Sequence, residues 1–154
     1  MVAEIEDLVA AEAEALGLPH NPPAAARCSR RKDLSRQVLA AAGVPVPAHR
    51  TVSLEADVRS QLARLGYPCV AKPLALSGSR GVMRVDSGKQ LLSAANRLRS
   101  ILDLEYPGDL EERHRMLVER FIPGPEVAVE GLLREGGLQV LAIFDKPDPL
   151  QGPF

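Results

Sequence analysis

Tyr67-Pro68-Cys69-Val70-Ala71-Lys72-Pro73, continuing through Leu74-Ala75-Leu76 into Ser77-Gly78-Ser79-Arg80-Gly81-Val82, is the stretch on which the fold turns. Cys69 to Pro73 is a short apolar run closed by its own proline, the pattern of a strand, and Val82 to Asp86 is a second strand after an intervening loop. A lysine inside an otherwise apolar strand must either extend its head to solvent or meet an anion. The loop Ser77 to Gly81 brings glycines, two hydroxyls and a guanidinium to the end of that strand. Glycine lets the backbone approach an anion closely, and none of these donors has to lose a proton first, so the set suits a phosphate. The loop lacks the spacing of a P-loop, and a Gly/Ser segment between two strands is equally the composition of an ordinary turn.

Around this stretch, strands and helices alternate. Residues 50 to 52 read as a short strand, and Ser53 as the cap of a helix that turns Leu54, Val58, Leu62 and Leu65 inward before Gly66. Ser87 and Gln90 have capping-box spacing, and Leu91, Ala95, Leu98 and Leu102 form the stripe of the following helix. This is a small α/β layer unit. Upstream, Ile5, Leu8, Val9, Ala13 and Leu16 share one face of a helix over residues 2 to 16, and His20 to Ala26 is a connector. Ser29 is placed to cap a helix carrying Leu34, Val38 and Leu39 inward as far as Gly43. Downstream, charge, proline and glycine make Asp103 to Arg115 a solvated loop. Met116 to Ile122, Glu126 to Arg134 and Leu138 to Asp145 then read as three adjacent antiparallel strands, with a hairpin at Glu135-Gly136-Gly137.

Composition narrows the function classes. The 154 residues are 45% hydrophobic and 25% charged, and no apolar run approaches the roughly 20 residues of a membrane span. Nineteen Lys+Arg against twenty Asp+Glu leave a net charge of −1, without the global basic field of a non-specific nucleic-acid binder. The acidic start does not read as a targeting peptide, which makes the cytoplasm the default. Cys28 and Cys69 form no CxxC and lie at no metal-ligand spacing from His20, His49 or His114. Glu119, next to Met116-Leu117-Val118, reads on its own as an edge-strand carboxylate facing water. Glu126 and Glu130 share strand parity, compatible both with a solvated face and with binding of ribose hydroxyls or cations.

Lys32-Asp33-Leu34-Ser35-Arg36 and the Ala-Gly-Val-Pro-Val-Pro run after it open an ordered set of motifs. Tyr67 to Pro73, Ser77 to Val82, Val118-Glu119-Arg120-Phe121-Ile122-Pro123-Gly124-Pro125-Glu126 and Phe144-Asp145-Lys146-Pro147 complete it. In order and spacing, this set resembles the ATP-grasp superfamily over residues 17 to 154. It most resembles the carboxylate-amine ligase branch, with its amino-acid ligases and carnosine-synthase-like proteins, and is similar to biotin carboxylases. The resemblance implies an α+β fold that is a partial ATP-grasp, preceded by the last helix of a Rossmann-like domain. Residues 1–26 would be the end of that domain and a linker, 27–115 the first grasp subdomain with its leading helix, and 116–154 the start of a truncated second one.

The resemblance also implies roles for individual residues. Lys32 and Lys72 match lysines that contact nucleotide phosphates, and Ser77, Gly78, Ser79, Arg80 and Gly81 match the lid over them. Glu119, Arg120, Phe121 and Ile122 match the hinge, the backbone of Arg120 and Ile122 reading adenine while Phe121 packs in the core. Glu126 matches the ribose-binding carboxylate, and Lys146 a lysine near the terminal phosphate. The implied cofactors are ATP and Mg2+, with the metal ligands expected beyond residue 154 and no catalytic residue assigned. Asp145 and Asp148 are nearby oxygens without an assignment. The implied reaction is an ADP-forming carboxylate–amine ligation through an acyl phosphate, with amino acids as the expected substrates and no nucleic-acid or membrane partner. A homodimer stays open. The chain alone is expected to be inactive, and the rival readings are a non-catalytic nucleotide-binding module and a bicarbonate-activating enzyme like biotin carboxylase.

Overall fold

The computed structural model describes residues 6–62, 65–105 and 110–146, and these fall into two compact units that divide between Phe121 and Ile122. The first unit carries helices α1 (Glu6–Ala15), α2 (Pro23–Arg30) and α3 (Lys32–Ala41), then β1 (His49–Ser53) and the short α4 (Val58–Gln61). Strands β2 (Cys69–Pro73) and β3 (Met83–Val85), helices α5 (Gly88–Glu105) and α6 (Leu110–Arg113), and strand β4 (Arg115–Arg120) complete it. The second unit is a hairpin of β5 (Glu126–Arg134) and β6 (Gly137–Lys146).

One antiparallel sheet of order β1-β4-β2-β3 organises the first unit. Register sets the faces. Val70 lies opposite Glu119 and Lys72 opposite Leu117, so these four share one face. The other face turns Val52, Cys69, Ala71, Met83, Val85, Met116 and Val118 into one core with Leu91, Ala95, Leu98 and Leu102 of α5, the stripe expected from sequence. Each fully buried leucine contributes roughly 1.5–3 kcal/mol. Cys69 is part of this core, and burial, with Asp86 adding to it, pushes its thiol up to about 11. Gly81 lets the loop after β2 press onto the core: its φ is 72°, and a Cβ there would lie 2.7 Å from Leu98 Cδ2.

Several sequence expectations are corrected here. The three C-terminal strands do not form one sheet, because β4 inserts between β1 and β2 while β5 and β6 pair only with each other. The reason is visible in β4 itself: Met116, Leu117 and Val118 are all fully buried, so the strand needs cover on both faces and a central position. Ser29 does not cap a helix. It lies inside α2, where its hydroxyl donates to Ala26 O, and the break falls at the extended Arg31. The connector after His20 is helical from Pro23, with proline in the first turn. Ser53 ends β1 rather than capping α4, whose cap is Asp57, accepting from Arg59 N–H at 3.0 Å. Leu54, Val58, Leu62 and Leu65 are buried as expected.

Of the apolar face predicted for the first helix, Leu8, Val9 and Leu16 are exposed, Ala13 is half-buried, and Ile5 lies outside the described residues. The span read as a solvated loop contains α6, whose Glu112 is buried and binds Arg30 and Arg31. Ion pairing is what draws this charged segment inward. In the hairpin, Glu135 and Gly136 both take positive φ, the geometry of a tight two-residue turn that matches strand twist. A bulge at Glu130/Gly131 interrupts the ladder, and there a side chain would meet Gln139 O at 2.8 Å.

Candidate functional site

The extended Arg31 separates α2 from α3 and places Lys32 at the first turn of α3. Arg31 is buried with its guanidinium forked onto Asp33, at 2.8 and 2.7 Å, and onto Glu112 at 2.5 Å. The hydrogen bond to Asp33 raises the Arg31 pKa against burial. For Asp33, burial pushes the carboxyl up, but Arg31 outweighs it and holds the group below its ordinary value. The residues on either side of Lys32 are thus fixed. Lys32 N–H donates to Leu74 O at 3.0 Å, and its Nζ donates to Leu76 O at 2.6 Å. Both bonds pin the segment that leads into the glycine loop.

Lys72 does meet an anion, Glu119, as the apolar strand requires. Arg36, one helical turn beyond Lys32, reaches the same carboxylate, with Nε 2.5 Å from Oε1 and Nη2 3.4 Å from Oε2. Glu119 is therefore not a water-facing edge residue but a buried carboxylate in a central strand. Burial would raise its pKa; the bonds from Arg36 and Lys72 reverse that and hold it below the ordinary carboxylate range. Lys32 is lowered to about 8, first by burial and then by the neighbouring Lys72, with Glu119 opposing and Arg36 adding to the fall. Three cations, Lys32, Arg36 and Lys72, thus gather around one carboxylate, while Asp33 is committed to Arg31.

Ser77, Gly78, Ser79 and Arg80 are exposed in a loop with positive φ at Gly78, Ser79 and Gly81. Arg80 N–H and Nε turn back to Ser77 O, and Val82 N–H to Ser79 O. In the expected hinge, Arg120 N–H donates to Ala48 O at 2.8 Å and Phe121 N–H to Pro68 O at 3.1 Å. Phe121 is half-buried outside the core, with the Arg84 guanidinium 4.4 Å over its ring, because β4 ends at Arg120 and the chain leaves the sheet there. Ile122 is exposed at the start of the second unit. Within that unit Glu126 and Lys146 are cross-strand partners, 2.5 Å apart.

The predicted site residues thus fall into two sets, Lys32, Lys72 and Glu119 in the first unit and Glu126 with Lys146 in the second. Sequence reasoning gave no role to Arg36 or to the Arg30–Arg31–Asp33–Glu112 network. The i,i+4 spacing of Lys32 and Arg36 was the available signal for the first; a pairing from Arg31 to Glu112, far along the chain, leaves none. Among the described residues no three His, Cys, Asp or Glu side chains converge as a metal site, Asp145 is exposed, and Asp148 lies outside them. No helix among the described residues is long and apolar enough to cross a membrane.

A cation-rich sheet face thus lies beside a glycine loop on an α+β scaffold. The chain belongs to the ATP-grasp family, whose domain pattern matches residues 65–154. It is 36% identical over 113 residues to an uncharacterised protein of Sinorhizobium fredii, covering 73% of this chain and 23% of that one. It is 30% identical over 132 residues to the D-alanine–D-alanine ligase of Pseudomonas fluorescens, covering 84% of this chain and 37% of the ligase. Its fold matches the crystal structure of the L-amino acid ligase of Bacillus licheniformis with a TM-score of 0.70 at 28% identity, covering 96% of this chain and 32% of that one. The chain spans well under half the length of each of these relatives.

Proposed function

We propose that this chain supplies the nucleotide-gripping part of an ATP-dependent carboxylate–amine ligase acting on amino acids. In that reaction a substrate carboxylate oxygen attacks the terminal phosphorus of ATP and ADP leaves. The amine then attacks the acyl phosphate, and phosphate leaves as the C–N bond forms. Dividing one unfavourable condensation into two displacements is what the nucleotide supplies. A cytoplasmic enzyme with small-molecule substrates is the setting this chemistry fits.

The observation that carries the reading is the gathering of Lys32, Arg36 and Lys72 around the single carboxylate of Glu119. Partly buried like charges repel, and a polyanion at this place would relieve that repulsion. Compact ammonium groups suit point contacts to phosphate oxygens. Lys32 also holds Leu76 O, so contact with phosphate would be communicated directly to the loop Ser77–Gly81, the proposed lid. The backbone of Arg120 and Ile122 would read adenine, Glu126 the ribose hydroxyls, and Lys146 the terminal phosphate. Magnesium would offset charge on the phosphates; the role proposed for the described residues is binding and orientation.

The test is ADP release by the whole protein given ATP, magnesium and a panel of amino acids. Release that depends on an amino-acid pair and is lost in Lys72→Ala is the expected result. ADP release that no amino acid stimulates would overturn the ligase reading.

A further inference from the structure

We propose that Arg36 is a positioning residue for the nucleotide phosphates, acting through Glu119 to keep Lys72 available. The inference rests on the phosphate-binding reading above and extends it to a residue that touches neither nucleotide nor substrate in that reading.

Glu119 sits in the central strand β4, with 6% of its side chain exposed, and is ionised only because cations meet it. Lys72 comes to it from β2, on the same sheet face; Arg36 comes from α3 with a forked approach to both carboxylate oxygens. The two cations do different work. A guanidinium is planar and matches a carboxylate with two parallel bonds, whereas an ammonium is a point charge with three rotatable donors. With Arg36 engaged, the charge of Glu119 is already met, and Lys72 keeps a net positive field and donors for a phosphate. Without Arg36, Lys72 is the one cation among the described residues left in contact with a buried carboxylate and must neutralise it.

This account makes a non-additive prediction that a merely structural role does not. In the whole protein, Arg36→Met should weaken both ATP and inorganic triphosphate by about ten- to a hundredfold, the loss expected for one charge-assisted contact. Arg36→Lys should fall between, since it returns the charge without the fork. The double change Arg36→Met with Glu119→Gln should recover most of the affinity, because the carboxylate that captures Lys72 has gone with its partner. Affinities are measured by titration calorimetry, with thermal unfolding of each variant alongside.

Unchanged affinity in Arg36→Met would overturn the inference. So would a double variant that binds no better than Arg36→Met while unfolding at the same temperature, because the loss would then come from packing. Should Arg36→Met not fold, the comparison of Arg36→Lys with Arg36→Lys/Glu119→Gln asks the same question, and no gain in the double variant again overturns the inference. Lys72→Ala separates the two levels: if it leaves nucleotide affinity intact, the phosphate-binding reading itself fails, whereas a loss there with none in Arg36→Met removes only the role of Arg36.

Discussion

The β1-β4-β2-β3 sheet and the β5–β6 hairpin are both antiparallel and both rich in apolar residues, yet one is buried and the other open. Met116, Leu117 and Val118 of β4 are fully buried, whereas Val129, Leu132, Leu133, Leu138 and Ile143 of the hairpin are more than half exposed. The contrast extends to the site residues. Lys72 and Glu119 pair on a packed sheet face, where Arg36 also holds the carboxylate, while Glu126 and Lys146 have chiefly each other, in solvent. Apolar, β-favouring sequence selects a strand, but a strand acquires an environment only from what packs on it.

Deleting side chains from each region gives the largest expected difference. Leu98→Ala should destabilise the chain by about 2–5 kcal/mol, since Leu98 of α5 is fully buried in the core. Leu133→Ala should stay within about 0.5 kcal/mol, because Leu133 is 75% exposed. Urea unfolding of both variants measures this, and comparable losses would break the comparison by showing that the hairpin is covered in solution.

Charge deletion comes next. Lys72→Ala should weaken ATP binding by about 1.5–3 kcal/mol, the scale of a charge-assisted contact. Arg97→Ala, on the exposed side of α5, should leave it unchanged. Equal effects in a nucleotide titration would remove Lys72 from the site.

Much of the first unit was legible because its strands announce themselves locally. Cys69 to Pro73 is bounded by its own proline, and the α5 stripe repeats with helical period. What was not legible depends on contacts between distant segments. Nothing around Met116 to Arg120 says that β4 will enter between β1 and β2, since its neighbours in space precede it by tens of residues. The water-facing reading of Glu119 fails for the same reason: its strand position, hence its burial, is a property of the sheet. Arg31 and Glu112 meet only once both helices are placed. Lys72 was legible because its anomaly is local, a charge inside an apolar run.

Lys32 offers a smaller, pH-dependent test confined to the packed region. Burial and Lys72 lower its pKa from 10.5 to about 8, with Arg36 acting in the same sense and Glu119 and Asp33 opposing. Between these values the unfolded chain holds a proton that the folded chain has lost, so the cost of Lys32 to stability is full below about pH 8 and fades as pH rises toward 10.5. A bound polyanion favours the ammonium, so nucleotide affinity should run the opposite way and fall as pH rises through about 8. Titrations between about pH 7 and about pH 9.5 should show this slope, and Lys32→Met should flatten it. A slope that survives Lys32→Met would assign the proton to another group.

The smallest effect is expected in the hairpin, where Glu126 and Lys146 form an exposed pair, with 53% and 38% of their side chains accessible. Such pairs contribute about 0–1 kcal/mol, so Glu126→Ala should barely move the unfolding midpoint. Its effect on binding should depend on the ligand. A ribose-binding carboxylate has nothing to hold in inorganic triphosphate, and its removal also releases Lys146 from a competing anion. Glu126→Ala should therefore weaken ATP while leaving triphosphate unchanged or slightly tighter. Equal losses for both would mean that Glu126 acts by positioning Lys146, and the hairpin would then share one property with the packed sheet: a carboxylate that sets the geometry of a lysine.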